Sequence, residues 1–333
     1  MNIIDIHTHI IPPNLPDYTK IFNREGYVSL KKNKNEAEME VFGQNFRTIK
    51  CNCWDPVQKI KDYAAIEVSK QVLSPIPILF YYWAPKKEAE ETSKFINDYI
   101  AKVIIDYPDY FYGLGTVPLQ DIDSAIKEAE RCKKNGLIGL EIGSNVNGKN
   151  LSEPEFHDFF MAIEDMDMCL FVHPWQMMGM SNMKKYWLPW LVGMPAETSR
   201  AICSMIFSGV FEKFKNLRVA FAHGGGSFPF TIDRISHGYG SRPDLCAIDN
   251  PFDPKKYLGS FFVDSLVHSK EALNYLISVL GEKSLVVGSD YPFPLGEDKP
   301  GQVVYENSFL STDIKEKILY KNARIWLGLD RNK

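Results

Sequence analysis

The sequence predicts an α/β fold, a (β/α)8 barrel of the TIM type, on three observations. The chain has 333 residues, enough for a typical barrel of about 250 residues with an insertion. Short apolar runs recur along it, and they are nearly continuous rather than alternating, as in strands buried on both faces of a parallel sheet. Helical patterns separate most of these runs, which is typical of repeated βα units.

Eight strands are predicted from the apolar runs. They cover about 3–10, 68–74, 111–116, 137–142, 168–173, 217–223, 259–265 and 284–290. The first predicted helix begins at Asp55-Pro56, because aspartate caps a helix and proline is favoured at its first position. Further helical patterns cover 86–107, 124–135, 153–166, 196–207, 269–280 and 311–320.

The extra length lies mainly between the first strand and the first helix, at residues about 13–52. We expect a small β-rich flap there, within a single barrel domain that spans residues 1–333. An insertion after the first strand must lie at the mouth of the barrel, where barrel enzymes carry their active sites. The alternative is a loosely structured surface loop.

The composition excludes several classes of function. The 38 basic and 42 acidic residues give a net charge of −4, which argues against a strongly basic nucleic-acid surface. No apolar run approaches the ~18 residues of a membrane span. The N-terminal MNIIDIHTHI does not resemble a secretory signal, so we expect a cytoplasmic protein whose six cysteines are reduced thiols.

Five side chains at predicted strand ends indicate a metal site. His7 and His9 lie two residues apart on the first strand, so their imidazoles face the same side. His173, His223 and Asp290 end the fifth, sixth and eighth strands, at the edge where barrels place catalytic groups. Imidazole and carboxylate ligands suit Zn²⁺. Taken singly, each residue could instead be a core histidine or a capping aspartate.

This ligand pattern resembles the amidohydrolase superfamily. Glu141 and Ser144 stand near the end of the fourth strand, where a bridging lysine of that superfamily would lie, so the resemblance implies a mononuclear site. Several longer segments resemble, more narrowly, the 2-amino-3-carboxymuconate-6-semialdehyde decarboxylase family. They are NCWDP (52–56), GLGTVPLQ (113–120), FVHPW (171–175), KYWLPWLVGMPAET (185–198), FAHGGGSFPFT (221–231), RPDLCA (242–247), YLGSFF (257–262) and DYPFPLGE (290–297).

The resemblance implies a zinc-dependent, O₂-independent decarboxylase of tryptophan catabolism through kynurenine, or of a bacterial aromatic pathway. It would convert 2-amino-3-carboxymuconate 6-semialdehyde to 2-aminomuconate 6-semialdehyde. Two positions depart from the family. Ser181-Asn182 stands where members carry Gly-Arg, and Val41 stands where some carry lysine. Both lie in predicted loops, so they bear on substrate contacts rather than on the chemistry.

The resemblance also implies roles for individual residues. One Zn²⁺ per chain would be held by His7, His9, His173 and Asp290, with His223 as the acid/base and Asp290 also acting on the metal-bound water. The dicarboxylate substrate would be bound by Arg47, Trp190 and Phe293, and by Arg234 of the neighbouring subunit of a homodimer. The residues do not decide whether hydroxide adds to the diene or the diene is protonated directly.

Three other functions remain open from the residues alone. A metal-dependent hydrolase or lactonase would use the same metal and base. A decarboxylase of an aromatic acid, of the resorcylate type, would share the ligand pattern. A metal-binding barrel without catalysis is the third, although a chain without activity has no need to retain His223.

Overall fold

The computed structural model describes residues 2–64, 66 and 68–330. Its strands, in chain order, are β1 (Ile4–Ile10), β2 (Ser29–Lys32), β3 (Glu36–Val41), β4 (Gln44–Lys50), β5 (Lys70–Pro75), β6 (Phe111–Gly115), β7 (Gly139–Gly143), β8 (Asn145–Val146), β9 (Lys149–Asn150), β10 (Cys169–His173), β11 (Arg218–Phe221), β12 (Phe262–Asp264) and β13 (Leu285–Val286).

The α-helices surround the strands and alternate with most of them. They are α1 (Tyr18–Phe22), α2 (Pro56–Ala64), α3 (Lys86–Asp106), α4 (Ile122–Lys134), α5 (His157–Asp165), α6 (Met194–Phe207), α7 (Val210–Lys213), α8 (Phe228–Ser241), α9 (Pro243–Cys246), α10 (Lys270–Leu280), α11 (Gln302–Tyr305), α12 (Thr312–Glu316) and α13 (Asn322–Leu327). π-Helical turns precede α6 and α13, at Pro189–Gly193 and Lys317–Lys321. Within the described residues, no helix has the length and apolar character that a bilayer crossing requires.

Eight parallel strands form the predicted barrel, in the order β1-β5-β6-β7-β10-β11-β12-β13. The first and last segments also meet. The Ile6 N–H donates to Val287 O at 2.9 Å, and the His9 N–H donates to Tyr291 O at 2.8 Å. The fold class expected from the sequence is therefore confirmed, and the carboxyl ends of all eight strands converge at one mouth.

The segment between β1 and α2 contains the β-rich insertion that the sequence predicts. β2, β3 and β4 form an antiparallel sheet. Ala37, Met39 and Ile49 of this sheet are buried, whereas most of its other side chains are exposed or half-buried. The buried side chains anchor the sheet to the rest of the molecule, so that β4 is held in a defined position.

The sixth and eighth strands of the barrel end earlier than the sequence predicts. β11 ends at Phe221 and β13 at Val286, so His223 and Asp290 lie two and four residues beyond the strands and not at their ends. Both residues have a left-handed φ of 57°, which a strand cannot accommodate. The sequence also gives no prediction of α8 after the sixth strand, because the Gly, Ser and Thr residues of this helix weaken the helical signal.

Gly224-Gly225-Gly226 follows β11 and allows the backbones of two loops to meet. All three glycines have positive φ values. A Cβ atom built on Gly226 would lie 2.2 Å from the carbonyl oxygen of Pro195, in the first turn of α6. The glycine at 226 is required for this close backbone approach, since neither the space nor the φ value tolerates a side chain.

Replacing Gly226 by alanine is therefore expected to destabilise the fold by more than about 1 kcal/mol, because both the φ value and the Pro195 contact oppose a Cβ atom. Gly238→Ala is the matched control. Gly238 lies within α8, where an added Cβ would meet no described atom beyond its own helix within 4 Å, and alanine favours a helix. Urea unfolding of both variants measures the difference. Equal stability would contradict the close approach.

Candidate metal centre and substrate cleft

His7 and His9 face each other inside the barrel mouth. Both are fully buried in β1, and their Nε2 atoms are 3.2 Å apart. The Asp290 carboxylate closes the group, because its Oδ1 lies 3.5 Å from Nε2 of His7 and 3.1 Å from Nε2 of His9. With His173, the ligand atoms of all four residues lie within 4.8 Å of one another.

The hydrogen bonds of the Nδ1 atoms, which face away from the group, determine whether the Nε2 atoms that face into it carry a proton or a lone pair. Nδ1 of His9 lies 3.0 Å from the carbonyl oxygen of Pro75, and Nδ1 of His173 lies 3.0 Å from that of Pro174. A carbonyl oxygen only accepts, so both Nδ1 atoms carry the proton and both neutral Nε2 atoms carry a lone pair. Nε2 of His173 is buried without a hydrogen-bond partner among the described residues.

Charge and geometry both fit a divalent metal ion. Burial and the neighbouring imidazoles hold the pKa of His173 well below its usual value, so the ring is neutral. Burial raises the pKa of Asp290, but the neighbouring His223, His9 and His7 outweigh it and hold the pKa well below its usual value. The 3.1–3.5 Å separations among His7, His9 and Asp290 match the spacing of about 3.3 Å for ligands on a tetrahedral zinc ion.

Asp264, at the end of β12, connects the metal ligands to the next loop. Its Oδ2 accepts hydrogen bonds from His7 Nδ1 at 2.8 Å and from the His223 N–H at 2.9 Å. Its Oδ1 accepts from the N–H groups of Gly224 at 2.8 Å and Leu266 at 3.1 Å. This buried carboxylate therefore orients a metal-facing imidazole and holds the His223 backbone in its left-handed conformation.

His223 lies beside the four candidate ligands. Its Nε2 is 3.8 Å from Asp290 Oδ2, and its ring centroid is 5.1 Å from that of His173. The side chain is partly exposed at 14%. Nδ1 is buried without a hydrogen-bond partner among the described residues. His223 can therefore receive or deliver a proton in the space next to the metal group.

Glu141 lies on the fourth barrel strand, β7, below the candidate ligands. It is fully buried, and its Oε1 is 3.8 Å from Nδ1 of His9. Burial, reinforced by the negative charge of Asp290, raises the pKa of Glu141 well above its usual value, which favours the neutral acid. It lies on the side of His9 away from Nε2 and is not part of the metal-facing group.

A cleft of about 470 Å³ opens above His9, His173 and Asp290. Arg47 enters it from β4. The guanidinium carbon lies 4.7 Å from the ring centroid of Phe293 and 5.8 Å from that of Trp190. Burial lowers the pKa of Arg47, while the charge of Asp290 opposes the shift. No carboxylate in residues 2–64, 66 and 68–330 forms a salt bridge with it, so the guanidinium can bind an anion.

Arg234 is not in this cleft. It lies exposed on α8, and it is absent from the described residues that line the cleft. Its assignment to a neighbouring subunit remains a prediction.

Sequence reasoning missed several residues of the site. Asp264 lies next to the end of the predicted strand 259–265, much as Asp290 lies at the end of the predicted strand 284–290. This position could have identified Asp264 from the sequence. Trp187 lies within the quoted KYWLPW segment. Trp175, Met194, Pro294 and Leu295 likewise lie within quoted segments. The remaining apolar lining residues carry no local signal and are Phe46, Ile76, Pro77 and Ile78.

Comparisons with known proteins match the whole barrel. The model of the amidohydrolase family matches residues 4–329. A 2-amino-3-carboxymuconate-6-semialdehyde decarboxylase of Dictyostelium discoideum is 50% identical, covering 99% of this chain and 92% of the relative. An enzyme of the same name from Caenorhabditis elegans is 36% identical, covering 99% and 95%.

Solved structures support the fold. The 5-carboxyvanillate decarboxylase of Sphingomonas paucimobilis superposes with a TM-score of 0.84 at 23% identity, over 98% of this chain and 99% of that one. A dihydroxybenzoic acid decarboxylase of Polaromonas, solved with bound manganese and an inhibitor, superposes with a TM-score of 0.78 at 19% identity, over 99% and 98%. At these identities the structures establish the barrel and not the substrate.

Asp264→Asn is expected to weaken the binding of Zn²⁺ or Mn²⁺ by about 10–100-fold. The amide nitrogen of asparagine cannot accept a hydrogen bond. Depending on the orientation of the amide, either the hydrogen bonds from His7 and His223 or those from Gly224 and Leu266 are lost. Competition with a chromophoric chelator measures the affinity. Asp109→Asn, on an exposed turn, should bind metal as the unmodified chain does. Unchanged affinity in Asp264→Asn would show that Asp264 does not orient the ligands.

Proposed function

Because this chain belongs to the amidohydrolase family, we propose that it decarboxylates 2-amino-3-carboxymuconate 6-semialdehyde to 2-aminomuconate 6-semialdehyde. It is a carboxy-lyase, as its 50% identity to a decarboxylase over nearly the whole chain indicates. One observation carries the proposal. Arg47, a cation with no salt-bridge partner among the described residues, lies in the same cleft as the His–Asp metal group.

The proposed metal is one Zn²⁺ per chain, held by His7, His9, His173 and Asp290. Three neutral imidazoles and one carboxylate favour zinc over magnesium or calcium, which prefer oxygen ligands. When bound, the divalent ion would act as a Lewis acid that lowers the pKa of a coordinated water.

The substrate carries two carboxylates, and the cleft is suited to orienting one of them. Arg47 offers a planar, bidentate guanidinium for a carboxylate. Phe293 and Trp190 flank it and would pack against the diene. Arg47 is the one cationic side chain among the described lining residues, so the second carboxylate requires another cation. We propose that this is Arg234 of the partner subunit in a homodimer.

The proton needed for decarboxylation would pass through His223. When the C–C bond to the departing CO₂ breaks, the carbon left behind keeps the electron pair and must gain a proton. Nε2 of His223 faces Asp290 Oδ2 at 3.8 Å, so this nitrogen lies where it can hold a proton and return it to the substrate carbon. Asp290, as an anion, would stabilise the imidazolium while the proton is held.

The proposal is tested with the purified full chain. Decay of the semialdehyde absorbance and release of one CO₂ per substrate should both occur, should stop with a chelator, and should return with Zn²⁺. A parallel panel of 2,6-dihydroxybenzoate and simple lactones separates the other candidates. Turnover of a dihydroxybenzoate but not of the semialdehyde would indicate an aromatic-acid decarboxylase, and hydrolysis without CO₂ release would indicate a hydrolase.

His223→Ala should lower kcat by about 10²–10⁴-fold, the usual contribution of a positioned acid/base, while the zinc content stays at one per chain. Elemental analysis and steady-state kinetics measure the two quantities. His237→Ala is the matched control, because His237 is exposed on α8 and should change neither. Loss of zinc together with activity would make His223 a ligand and the role assignment wrong.

Subunit mixing should reveal a shared site. Arg234→Ala and His223→Ala homodimers should each be nearly inactive. After dissociation and reassociation, a heterodimer would contain one site with both residues intact, so part of the activity should return. Mass spectrometry of the mixed dimers verifies exchange. A fully active monomer, or no recovery in confirmed heterodimers, would return Arg234 to an ordinary surface residue.

A further inference from the structure

A second, larger cavity lies beside the metal cleft. Its volume is about 1340 Å³, against about 470 Å³ for the cleft. The two cavities share four lining residues, which are Phe46, Ile78, Trp175 and Trp190. We call this second cavity the aromatic annex. None of its other twelve described lining residues has a role in the proposed reaction, so the reaction does not explain its presence.

The chemistry of the annex differs from that of the cleft. Eight of its sixteen described lining residues are aromatic, and none is charged. Its polar side chains include the amides of Gln44, Asn45 and Gln176. A carboxylate placed there would lose its hydration with no cation to replace it. The annex therefore disfavours the dianion that Arg47 suits, and favours flat, uncharged rings that pack against aromatic side chains.

The annex walls are preorganised. The Tyr81 hydroxyl accepts a hydrogen bond from the Val28 N–H at 3.1 Å, and the Tyr82 hydroxyl accepts one from the Gly143 N–H at 3.0 Å. At Gly26, with φ of 104°, an added Cβ would lie 3.1 Å from both the Phe42 and the Trp83 rings. A side chain at this position would crowd both rings, so glycine here preserves the shape of the wall.

Three of the eleven described non-glycine residues with a positive φ lie in the same walls. Phe42, Tyr81 and Gln176 have left-handed φ values of 53°, 48° and 51°, although none is glycine. This conformation is sterically unfavourable for a residue with a Cβ atom. Strain of this kind persists where the surrounding structure holds it in place, and it is common at ligand sites. The three residues come from three separate loops that meet only at this cavity.

We propose that the aromatic annex is a second ligand site, which binds an uncharged molecule of two or three aromatic rings independently of the anion held at Arg47. The amides of Gln44, Asn45 and Gln176 would hydrogen-bond a hydroxyl, amine or amide substituent on the rings. The ligand is distinct from the substrate, and its binding does not depend on the reaction.

N-phenyl-1-naphthylamine, an uncharged fluorophore with a naphthalene and a phenyl group, tests the proposal on the metal-loaded full chain. Trp83, Trp175 and Trp190 line the annex, so saturable energy transfer from tryptophan at one site per chain is expected. Phe42→Lys and Met180→Lys should each weaken binding by about tenfold or more, because both bring a cation into an apolar site. Their side chains are 68% and 44% exposed, so both variants should fold.

Two controls locate the probe. Arg47→Ala, which changes the metal cleft, and Phe309→Lys, at a residue that is 85% exposed and lines neither cavity, should both bind the probe with unchanged affinity. In Arg47→Ala, 1-naphthamide should displace the probe at a concentration about tenfold lower than 1-naphthoate, because only the naphthoate is charged.

Three outcomes would overturn the proposal. The first is no saturable binding. The second is binding that Arg47→Ala abolishes and the lysine variants do not. The third is equal displacement by the amide and the acid. None of these results bears on CO₂ release, so the proposed reaction stands or falls separately.

Discussion

Three imidazole nitrogens and a carboxylate oxygen meet in the barrel mouth with their lone pairs facing each other. His7 and His9 approach to 3.2 Å between Nε2 atoms, and hydrogen bonds on the outer nitrogens of His9 and His173 leave lone pairs on the inner nitrogens of these two rings. Such a group is repulsive until a cation lies among its members. The surrounding strands, loops and buried carboxylates are arranged to hold the four ligand atoms in this geometry.

Asp264 links the geometry of the four ligand atoms to the position of His223. One carboxylate orients His7 and also fixes the backbone of His223. The position of the proposed acid/base is thus coupled to the position of a candidate metal ligand, although the two residues lie at different places in the barrel. Below them, the Phe171 ring lies between His7 and the buried Trp326 of α13, which supports the floor of the site.

The insertion contributes to the cleft side chains that the barrel strands do not provide. The barrel mouth provides the candidate metal ligands and His223, while β4 contributes Arg47 and Phe46 from outside the barrel. Residues of the same sheet also line the aromatic annex, so a single small sheet contributes both to the cleft that contains Arg47 and to the uncharged aromatic cavity. Changes in this sheet would alter ligand preference without disturbing the metal group.

The sequence by itself determined the barrel and the residues at its mouth. Continuous apolar strands and the i, i+2 spacing of His7 and His9 are local properties, and local properties are visible in a linear pattern. The tertiary structure decided the rest. His223 and Asp290 reach the site from loops in left-handed conformations, and Asp264 meets His7 across 257 residues of chain. The annex combines side chains from separate loops, and long-range packing of this kind leaves no periodic signal in the sequence.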